Sequence, residues 1–366
     1  MLTHFSFTSI GYLLEHLLHH ILLKCNRIAR FFSAAGASVI LCFFAAGVPV
    51  VDCLSQQLPH YSQYLQNHFL INPALAGIEN YADARLGYRQ QWAGLEDAPR
   101  TFYMTAHLPV GNPDFEVEPA SPRFSFGRES GPTFPDAHGG AGLSLIRDQT
   151  GPWSRFSMSV SGAYHYPLGD LWQLSAGLSG GITQHTLDFD RIHLANALDP
   201  VVSVGKVNTL RPDMNAGLWI YSPEFFAGFS VQQLIGTKLN FRKGDYDWQG
   251  KAVPHYFLTA GYRLIIADDW DFTPSVLFKK ATNAPLSWDL NFKFSYQNNL
   301  WFGLSYRQKD AFWGWLGVRV AQKFTVSYTY EYVISSLQSA TRGSHEIVLG
   351  LTLGNQRHYT SPRSFW

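Results

Sequence analysis

Residues 285–307, PLSWDLNFKFSYQNNLWFGLSYR, alternate strictly between two kinds of side chain over their first half. The large apolar and aromatic positions are Trp288, Leu290, Phe292, Phe294 and Tyr296. The residues between them are small, polar or charged. Successive side chains of a β-strand point to opposite faces of the sheet, so this segment has one apolar face and one wet face. The apolar face would point inward in a soluble sandwich and toward lipid in a membrane barrel.

The composition of the 366-residue chain favours a β-structure with tight turns. The 28 Lys and Arg residues nearly balance the 27 Asp and Glu residues, so the net charge gives no indication of a nucleic-acid partner. Charged residues make up 15% of the chain, below the roughly 25% of a typical soluble domain. Aromatic residues also make up 15%, and there are 31 glycines. This balance is typical of short strands with an aromatic girdle at a membrane interface.

The three cysteines, Cys25, Cys42 and Cys53, all precede residue 54. Their position excludes a disulfide framework, a cysteine zinc site and a cysteine nucleophile from the rest of the chain. It is compatible with a protein that works beyond the inner membrane.

An uncharged run at residues 31–51 follows several basic residues, which is the order of the basic and apolar regions in a signal peptide. We expect residues 1–55 to be a signal peptide with an atypical amino-terminal extension, cleaved near Ser55. The run is just long enough to span a membrane, so an uncleaved anchor remains an alternative. A lipoprotein site at Cys53 is disfavoured because Asp52 occupies a position where a small residue is expected.

From residue 81 onward the sequence consists of strand-length segments separated by Gly, Pro, Asn and Asp. Fourteen segments are predicted as strands, an even number as in bacterial single-chain barrels. They are 81–92, 99–109, 138–149, 154–167, 170–187, 212–221, 224–234, 253–266, 269–280, 286–297, 300–309, 311–321, 323–334 and 344–354.

An open sheet of fourteen strands would leave two unpaired edges, whereas closure pairs every backbone group. We therefore predict an all-β fold: a transmembrane antiparallel β-barrel of about 14 strands in the outer membrane, formed by residues 81–354. The aromatic stripe would face lipid and the polar stripe would face the lumen. Residues 56–80 would form an amino-terminal periplasmic or plug segment, and residues 355–366 a carboxy-terminal tail.

The connections between the predicted strands differ in length on the two sides of the membrane. Short ones, such as 222–224 and 322–323, alternate with longer ones near 188–211, 235–252 and 335–343. This asymmetry is typical of barrels with short periplasmic turns and longer external loops. The Pro-rich stretch 110–137 breaks the rule, because the count places it on the periplasmic side.

Several blocks of sequence resemble the PorP/SprF family of the Bacteroidetes type IX secretion and gliding machinery. The segment HYSQYLQNHFLINPALAG (60–77) is similar to the start of the family after its leader. The segment YRQQWAGLEDAPRTFYMTAHLPV (88–110) is similar to its first hairpin. Further blocks follow in family order at 212–230, 255–264, 273–280, 300–307 and 343–353. The stretch 110–137 departs from the pattern as an insertion, as does the tail that ends in Phe365 and Trp366.

The resemblance implies a fourteen-stranded outer-membrane barrel. We expect no enzymatic activity, because no acid–base and nucleophile set is complete in the sequence. It implies three kinds of partner besides outer-membrane lipid: a secreted adhesin with a carboxy-terminal sorting domain, periplasmic ring components and lipoprotein components of the secretion system. No nucleic-acid partner is expected. The rival interpretation is a passive channel or hydrophobic-solute transporter. Sequence alone leaves open whether the lumen is open or plugged.

Eight residues are candidates for partner binding, and all but one lie in the blocks that carry the resemblance. They are Asn72, Pro73, Arg89, Gln91, Trp92, Pro99, Arg100 and Trp248. The alternative for this set is a structural role in a plug and a turn, because Pro and Gly at these positions also favour the backbone conformations of turns.

No catalytic, metal or cofactor site is predicted, because each of three suggestive features lacks the further residues that such a site needs. His16 and His20 are one helical turn apart, but no second pair supports a metal site. The Asp-x-Asp of an external loop at 245–247 lacks the further ligands of a calcium site. Ser344 and His345 suggest a surface lipid hydrolase, but no activating third residue has suitable spacing.

Overall fold

The computed structural model describes residues 58–111, 137–169, 172–191, 205–236, 238–243, 246–267, 269–282, 284–297, 299–321 and 323–354. The predicted leader, most of the 110–137 insertion and the predicted tail lie outside these residues. So do His16, His20 and Asp245.

Seventeen strands are present in the described part of the chain. They are β1 (Ala82–Gln90), β2 (Arg100–Val110), β3 (His138–Thr150), β4 (Trp153–Pro167), β5 (Gln173–Asp188), β6 (Lys206–Tyr221), β7 (Phe225–Gln232), β8 (Lys238–Lys243), β9 (Tyr246–Lys251), β10 (His255–Tyr262), β11 (Leu264–Ala267), β12 (Trp270–Ala281), β13 (Ser287–Tyr296), β14 (Leu300–Arg307), β15 (Ala311–Val320), β16 (Phe324–Val333) and β17 (Ser344–Leu353). The described helices are short 3₁₀ turns: His68–Leu70, Pro73–Leu75, Phe189–Arg191 and Ser336–Ala340. None of the helices in the described residues has the length and apolarity needed to cross a bilayer.

The strands form a closed antiparallel barrel of fourteen strands, as predicted. Apart from the separate hairpin of β8 and β9, which leaves β7 paired with β10, the strands pair in sequence order. β1 closes the cylinder by pairing with β17 from Ala82↔Leu353 to Gln90↔His345. β10 and β11 count as one barrel strand because both pair with β12. Closure leaves the barrel without the unpaired edges that an open sheet of this size would present.

The two faces of β13 meet the environments that the alternation predicts. Asp289 and Asn291 are fully buried in the lumen, and Lys293 is also buried. Phe292 points outward and is 39% exposed. β16 repeats the arrangement, with Tyr328 exposed on the outside and its neighbours on the inner face buried. The aromatic stripe therefore lies on the lipid side of the barrel and the polar stripe lines the lumen.

Three details differ from the predicted strands. β6 begins at Lys206, six residues before the predicted start at 212. The predicted connection 235–252 contains the separate hairpin β8–β9. The predicted strand 253–266 is interrupted at Arg263, whose backbone N–H bonds to Glu224 O at 2.6 Å instead of entering the ladder. The interruption lies beside the position opposite Pro274, which has no N–H to donate to the neighbouring strand.

The two ends of the barrel differ in their connections. We call the end that carries 222–224, 297–299 and 321–323 the turn end, because these connections span only three residues each. The opposite end, which we call the loop end, carries the longer connections 189–205 and 233–254. β2 ends and β3 begins at the turn end, so the long connection between them is an exception among the short connections there.

Residues 58–81 fill the inside of the barrel and are called the plug below. Nearly all of their side chains are buried, although the segment contains only two 3₁₀ turns. Two apolar clusters combine plug residues with lumen-facing wall residues; Leu65 belongs to one and Leu75 to the other. The barrel core is therefore made by the plug together with the inner face of the sheet.

Candidate functional site: the filled lumen

The plug runs through the lumen from the loop end to the turn end. Leu58 and Tyr61 line the same cavity as Gln91 and Asp310, which belong to loop-end connections. At the other extreme, Gly77 packs against Leu108 and Gly140 near the turn end. The chain then turns at Gly77, whose φ of +69° favours glycine, and enters β1. The plug and β1 are therefore successive passages of the chain in opposite directions.

One side of the lumen carries a buried ionic network, which we call the charged wall. Its members are Arg89, Asp289, Arg307, Glu331 and Glu346, each at most 1% exposed. Arg89 Nη2 lies 3.1 Å from Glu331 Oε1, and Arg89 Nη1 lies 3.4 Å from Glu346 Oε2. Arg307 Nε lies 3.1 Å from Asp289 Oδ1, and its guanidinium stacks over Trp313 at 4.9 Å. Paired and hydrogen-bonded, these charges tolerate burial that isolated ions would not.

The first part of the plug is bound to the charged wall. The backbone N–H of Ser62 donates to Glu346 Oε2 at 2.7 Å, and its hydroxyl donates to Glu331 Oε2 at 2.7 Å. Arg89 also donates to the Ser62 hydroxyl. The Gln63 amide donates to Glu346 O at 3.0 Å. Strands β1, β16 and β17 thus fix the plug by charge-assisted hydrogen bonds, which are stronger than neutral ones.

The remaining plug backbone is satisfied by lumen side chains rather than by regular structure. Ser230 Oγ donates to Ile71 O and Ser175 Oγ donates to Ala74 O, both at 2.6 Å. His165 Nε2 lies 2.8 Å from Ala76 O and, since a carbonyl only accepts, is the donor. An irregular segment buried in a barrel needs such partners, because each unpaired backbone group would cost free energy.

Lumen-facing glycines make room for the plug backbone. A Cβ at Gly177 would lie 2.5 Å from Ala74 N, and one at Gly140 would overlap Ala76 O. A Cβ at Gly217 would overlap the Asn72 side chain. The wall and the plug therefore approach to backbone contact at several places, which leaves no room for solute to pass there.

His68 lies in the middle of the plug and packs against Trp219 and Phe226, with ring centroids 5.4 and 5.5 Å away. These contacts leave the His68 side chain 3% exposed in the interior of the barrel.

A cavity of about 490 Å³ remains between the plug and the wall on the loop-end side. Its floor is formed by the plug residues Tyr61, Tyr64, Leu70 and Ile71. Its wall combines apolar residues such as Ile146 with Arg155, Asp213, His255 and Lys279. Residues of the loop-end connections, including Gln91, Gln233 and Ala284, surround its mouth.

The structure brings three of the predicted partner-binding residues together at this cavity. Gln91, Trp92 and Pro99 all line it, and the Gln91 N–H donates to Pro99 O at 2.9 Å across the first loop. Arg89 lies apart from them in the charged wall, where it is 1% exposed. The partner-binding role of this set stays a prediction.

The other predicted residues lie apart from this group. Asn72 and Pro73 belong to the plug, where Asn72 Nδ2 donates to Leu218 O at 3.0 Å and its Oδ1 accepts from Ala74 N–H at 2.9 Å. Arg100 begins β2 with its side chain exposed. Trp248 lies in β9, and its side chain is outside the described part.

Ser344 and His345 do not form a catalytic pair. Ser344 faces the lumen, and its hydroxyl donates to Glu331 Oε1 at 3.3 Å. His345 faces outward, where Nδ1 and the Tyr328 hydroxyl are 2.7 Å apart. Adjacent strand residues necessarily point to opposite faces. Among the described residues, no three His, Cys, Asp or Glu side chains are close enough to hold a metal ion.

The sequence profile of the type IX secretion system membrane protein PorP/SprF matches residues 53–351. The chain belongs to the PorP/SprF family. The match covers the plug and all the described strands but the end of β17. A closed barrel with an apolar exterior, in a family of secretion-system membrane proteins, is located in the outer membrane.

Comparison with curated protein sequences gave no significant match. Among solved structures, a Pseudomonas aeruginosa FadL homologue is 11% identical, with a TM-score of 0.45 over 81% of this chain and 94% of that one. The translocator domain of the autotransporter NalP from Neisseria meningitidis is 10% identical, with a TM-score of 0.39 over 75% and 89%. At these values the two structures give no functional assignment.

Sequence reasoning did not identify the residues that hold the plug. Glu331 and Glu346 are not among the predicted site residues. A signal was available, because each is a charged side chain in the interior of a strand whose other face is strongly apolar. Such a charge must face the lumen and needs a partner there.

Proposed function

We propose that this protein is a non-enzymatic component of the type IX secretion or gliding machinery that helps to secrete or anchor a large surface adhesin. It would act as a scaffold, holding the carboxy-terminal domain of the adhesin at the cell surface. Periplasmic ring and lipoprotein components would be contacted from the turn end, where the 110–137 insertion emerges. Membership of the PorP/SprF family supports the place of the protein in this system.

The filled lumen is the observation that carries the scaffolding role. The plug is hydrogen-bonded to strands on all sides of the barrel, including β1, β5, β7 and β17. A passive channel needs a continuous path, and backbone contact at Gly140 and Gly177 opposes one. The channel interpretation would require the whole plug to leave, with the loss of an extensive buried hydrogen-bond network.

A deletion strain tests the proposal. Removal of the protein is expected to deplete the cell surface of one or a few exported proteins that share a carboxy-terminal sorting domain. Re-expression of the wild-type chain should restore them. The measurement is quantitative mass spectrometry of peptides shaved from intact cells by protease. An unchanged surface proteome, together with slower uptake of hydrophobic solutes, would instead support the channel.

A further inference from the structure

The cavity at the loop end is bounded on its inner side by the plug. Tyr61, Tyr64, Leu70 and Ile71 line it there, and farther toward the turn end plug and wall are in backbone contact at Gly177 and Gly140. Its volume of about 490 Å³ lies within the range of sites that hold small ligands. The cavity therefore has the form of a binding site and not that of a transport path.

One buried side chain in the cavity wall has an unused hydrogen-bonding atom. His255 is 7% exposed, and its Nδ1 lies 2.9 Å from Val253 O. Because a carbonyl oxygen only accepts, Nδ1 is the donor, and Nε2 of the neutral ring is an acceptor. Within the described ranges, Nε2 has no hydrogen-bond partner. A buried acceptor without a partner is unfavourable, and an N–H or O–H group of a ligand that displaces the atoms covering Nε2 would satisfy it.

The other polar groups of the cavity include both donors and acceptors. Arg155 and Lys279 supply positive charge, and Asp148 and Asp213 supply carboxylates. Arg155 Nε donates to Ser157 Oγ at 3.0 Å, which fixes its guanidinium in the wall. A ligand that uses this set must itself offer donors and acceptors close together, as each residue of a peptide backbone does.

Apolar side chains complete the cavity beside these groups. Ile146, Phe257 and Leu277 face the lumen from β3, β10 and β12 and line it. Phe257 and Leu277 belong to the buried cluster that includes Tyr61 and Tyr64 of the plug. They offer a surface on which an apolar side chain can be buried, whereas a plain hydrocarbon would leave His255 Nε2 without a partner.

We propose that this cavity binds a short peptide segment of the exported partner, inserted from the loop end. An apolar side chain of the segment contacts Ile146 and Phe257, and a backbone N–H donates to His255 Nε2. The inference rests on the proposed function, because it assumes that the protein holds an exported polypeptide. It adds the place of contact and the chemistry of recognition.

Photo-crosslinking at two adjacent positions of β10 tests the site in cells. p-Benzoylphenylalanine in place of Phe257 faces the cavity, and the same amino acid in place of Leu258 faces lipid, where Leu258 is 51% exposed. Irradiation is expected to join position 257, but not position 258, to one short segment of an exported protein, located by mass spectrometry. Adducts to the plug alone, or equal adducts at both positions, would overturn the proposal.

The second test measures binding of a synthetic peptide that has the sequence of the crosslinked segment. The wild-type barrel in detergent should bind the peptide, and His255→Phe should weaken binding about fivefold to tenfold, as expected for one lost hydrogen bond. His255→Gln, which keeps an acceptor oxygen, should stay within about threefold of wild type. Heat-modified electrophoretic mobility verifies that each variant is folded. Equal binding by His255→Phe and wild type would refute the role of the cavity.

The two proposals can fail separately. If deletion of the protein depletes surface proteins but position 257 yields no partner adduct, the scaffolding role stands and the cavity is not the contact. If deletion leaves the surface proteome unchanged, the proposed function itself is wrong.

Discussion

The lumen of this barrel contains two regions that differ in how closely the wall contacts the plug. In the first, which includes the charged wall and the glycines around Gly140, plug and wall are in hydrogen-bonded or backbone contact. In the second, the cavity beside His255, they are separated by about 490 Å³ of space, and a buried acceptor has no partner among the described residues. The strands of both regions carry the same alternation of lumen-facing and lipid-facing side chains.

The difference shows that the empty space in the lumen is confined to one region. A barrel that was simply too wide for its plug would leave space all around it. Where the wall carries Gly or a paired charge, the plug is held closely. Where it carries Ile146, Arg155 and His255, the plug moves away from the wall and leaves polar groups available. Stability should therefore depend on the first region and partner binding on the second.

Arg89→Met should have the largest effect on stability. The change leaves the carboxylates of Glu331 and Glu346 buried without their main counter-ion, and loss of one partner of a buried ion pair costs about 3–5 kcal/mol. The free energy of unfolding, measured by urea titration of the barrel in lipid vesicles, should fall by this amount. Arg100→Met, on an exposed side chain of the next strand, should change it by less than about 0.5 kcal/mol. Equal effects would contradict the charged wall.

Gly140→Ala should have an intermediate effect. Its new methyl group would overlap Ala76 O of the plug, and overpacking of this kind costs about 1–3 kcal/mol. Gly162→Ala is the matched control, because Gly162 lies in the next strand, faces outward, and would have open space around a Cβ. The same urea titration should show a change of less than about 0.5 kcal/mol for the control. A lumen without the plug would make the two variants alike.

Asp213→Asn should have the smallest effect on stability. The side chain of Asp213 lines the cavity and is only partly buried, so the loss of its charge should change the free energy of unfolding by less than about 0.5 kcal/mol. Asp289→Asn removes the carboxylate that pairs with Arg307 and should cost about 3 kcal/mol or more. Equal losses in the two variants would show that the carboxylate of Asp213 contributes as much as the paired carboxylate of Asp289, and would contradict the difference between the two regions.

The barrel could be predicted from sequence because each strand carries its own two-residue period. β13 was predicted at 286–297 and occupies Ser287–Tyr296. The first part of β6 was missed because its outward residues there, such as Lys206 and Asn208, are polar and exposed, so the alternation is lost. Where the outward face no longer meets lipid, the sequence pattern of a membrane strand disappears.

The path of the plug could not be predicted in the same way. Its backbone groups form hydrogen bonds with side chains far away in sequence, such as Ser175 and Glu346. No periodic pattern in the sequence of the plug indicates those contacts. The cavity depends on the same long-range packing. Sequence resemblance did place Gln91, Trp92 and Pro99 in one block, and all three lie at the cavity mouth.

Single-channel recording in planar bilayers tests the filled lumen most directly. The purified, intact protein, reconstituted beside an open porin as a positive control, should insert without producing conductance steps, because the plug contacts the wall along the barrel. Stable, ohmic steps from the intact chain would mean that ions pass the plug, and the scaffolding account would then be wrong.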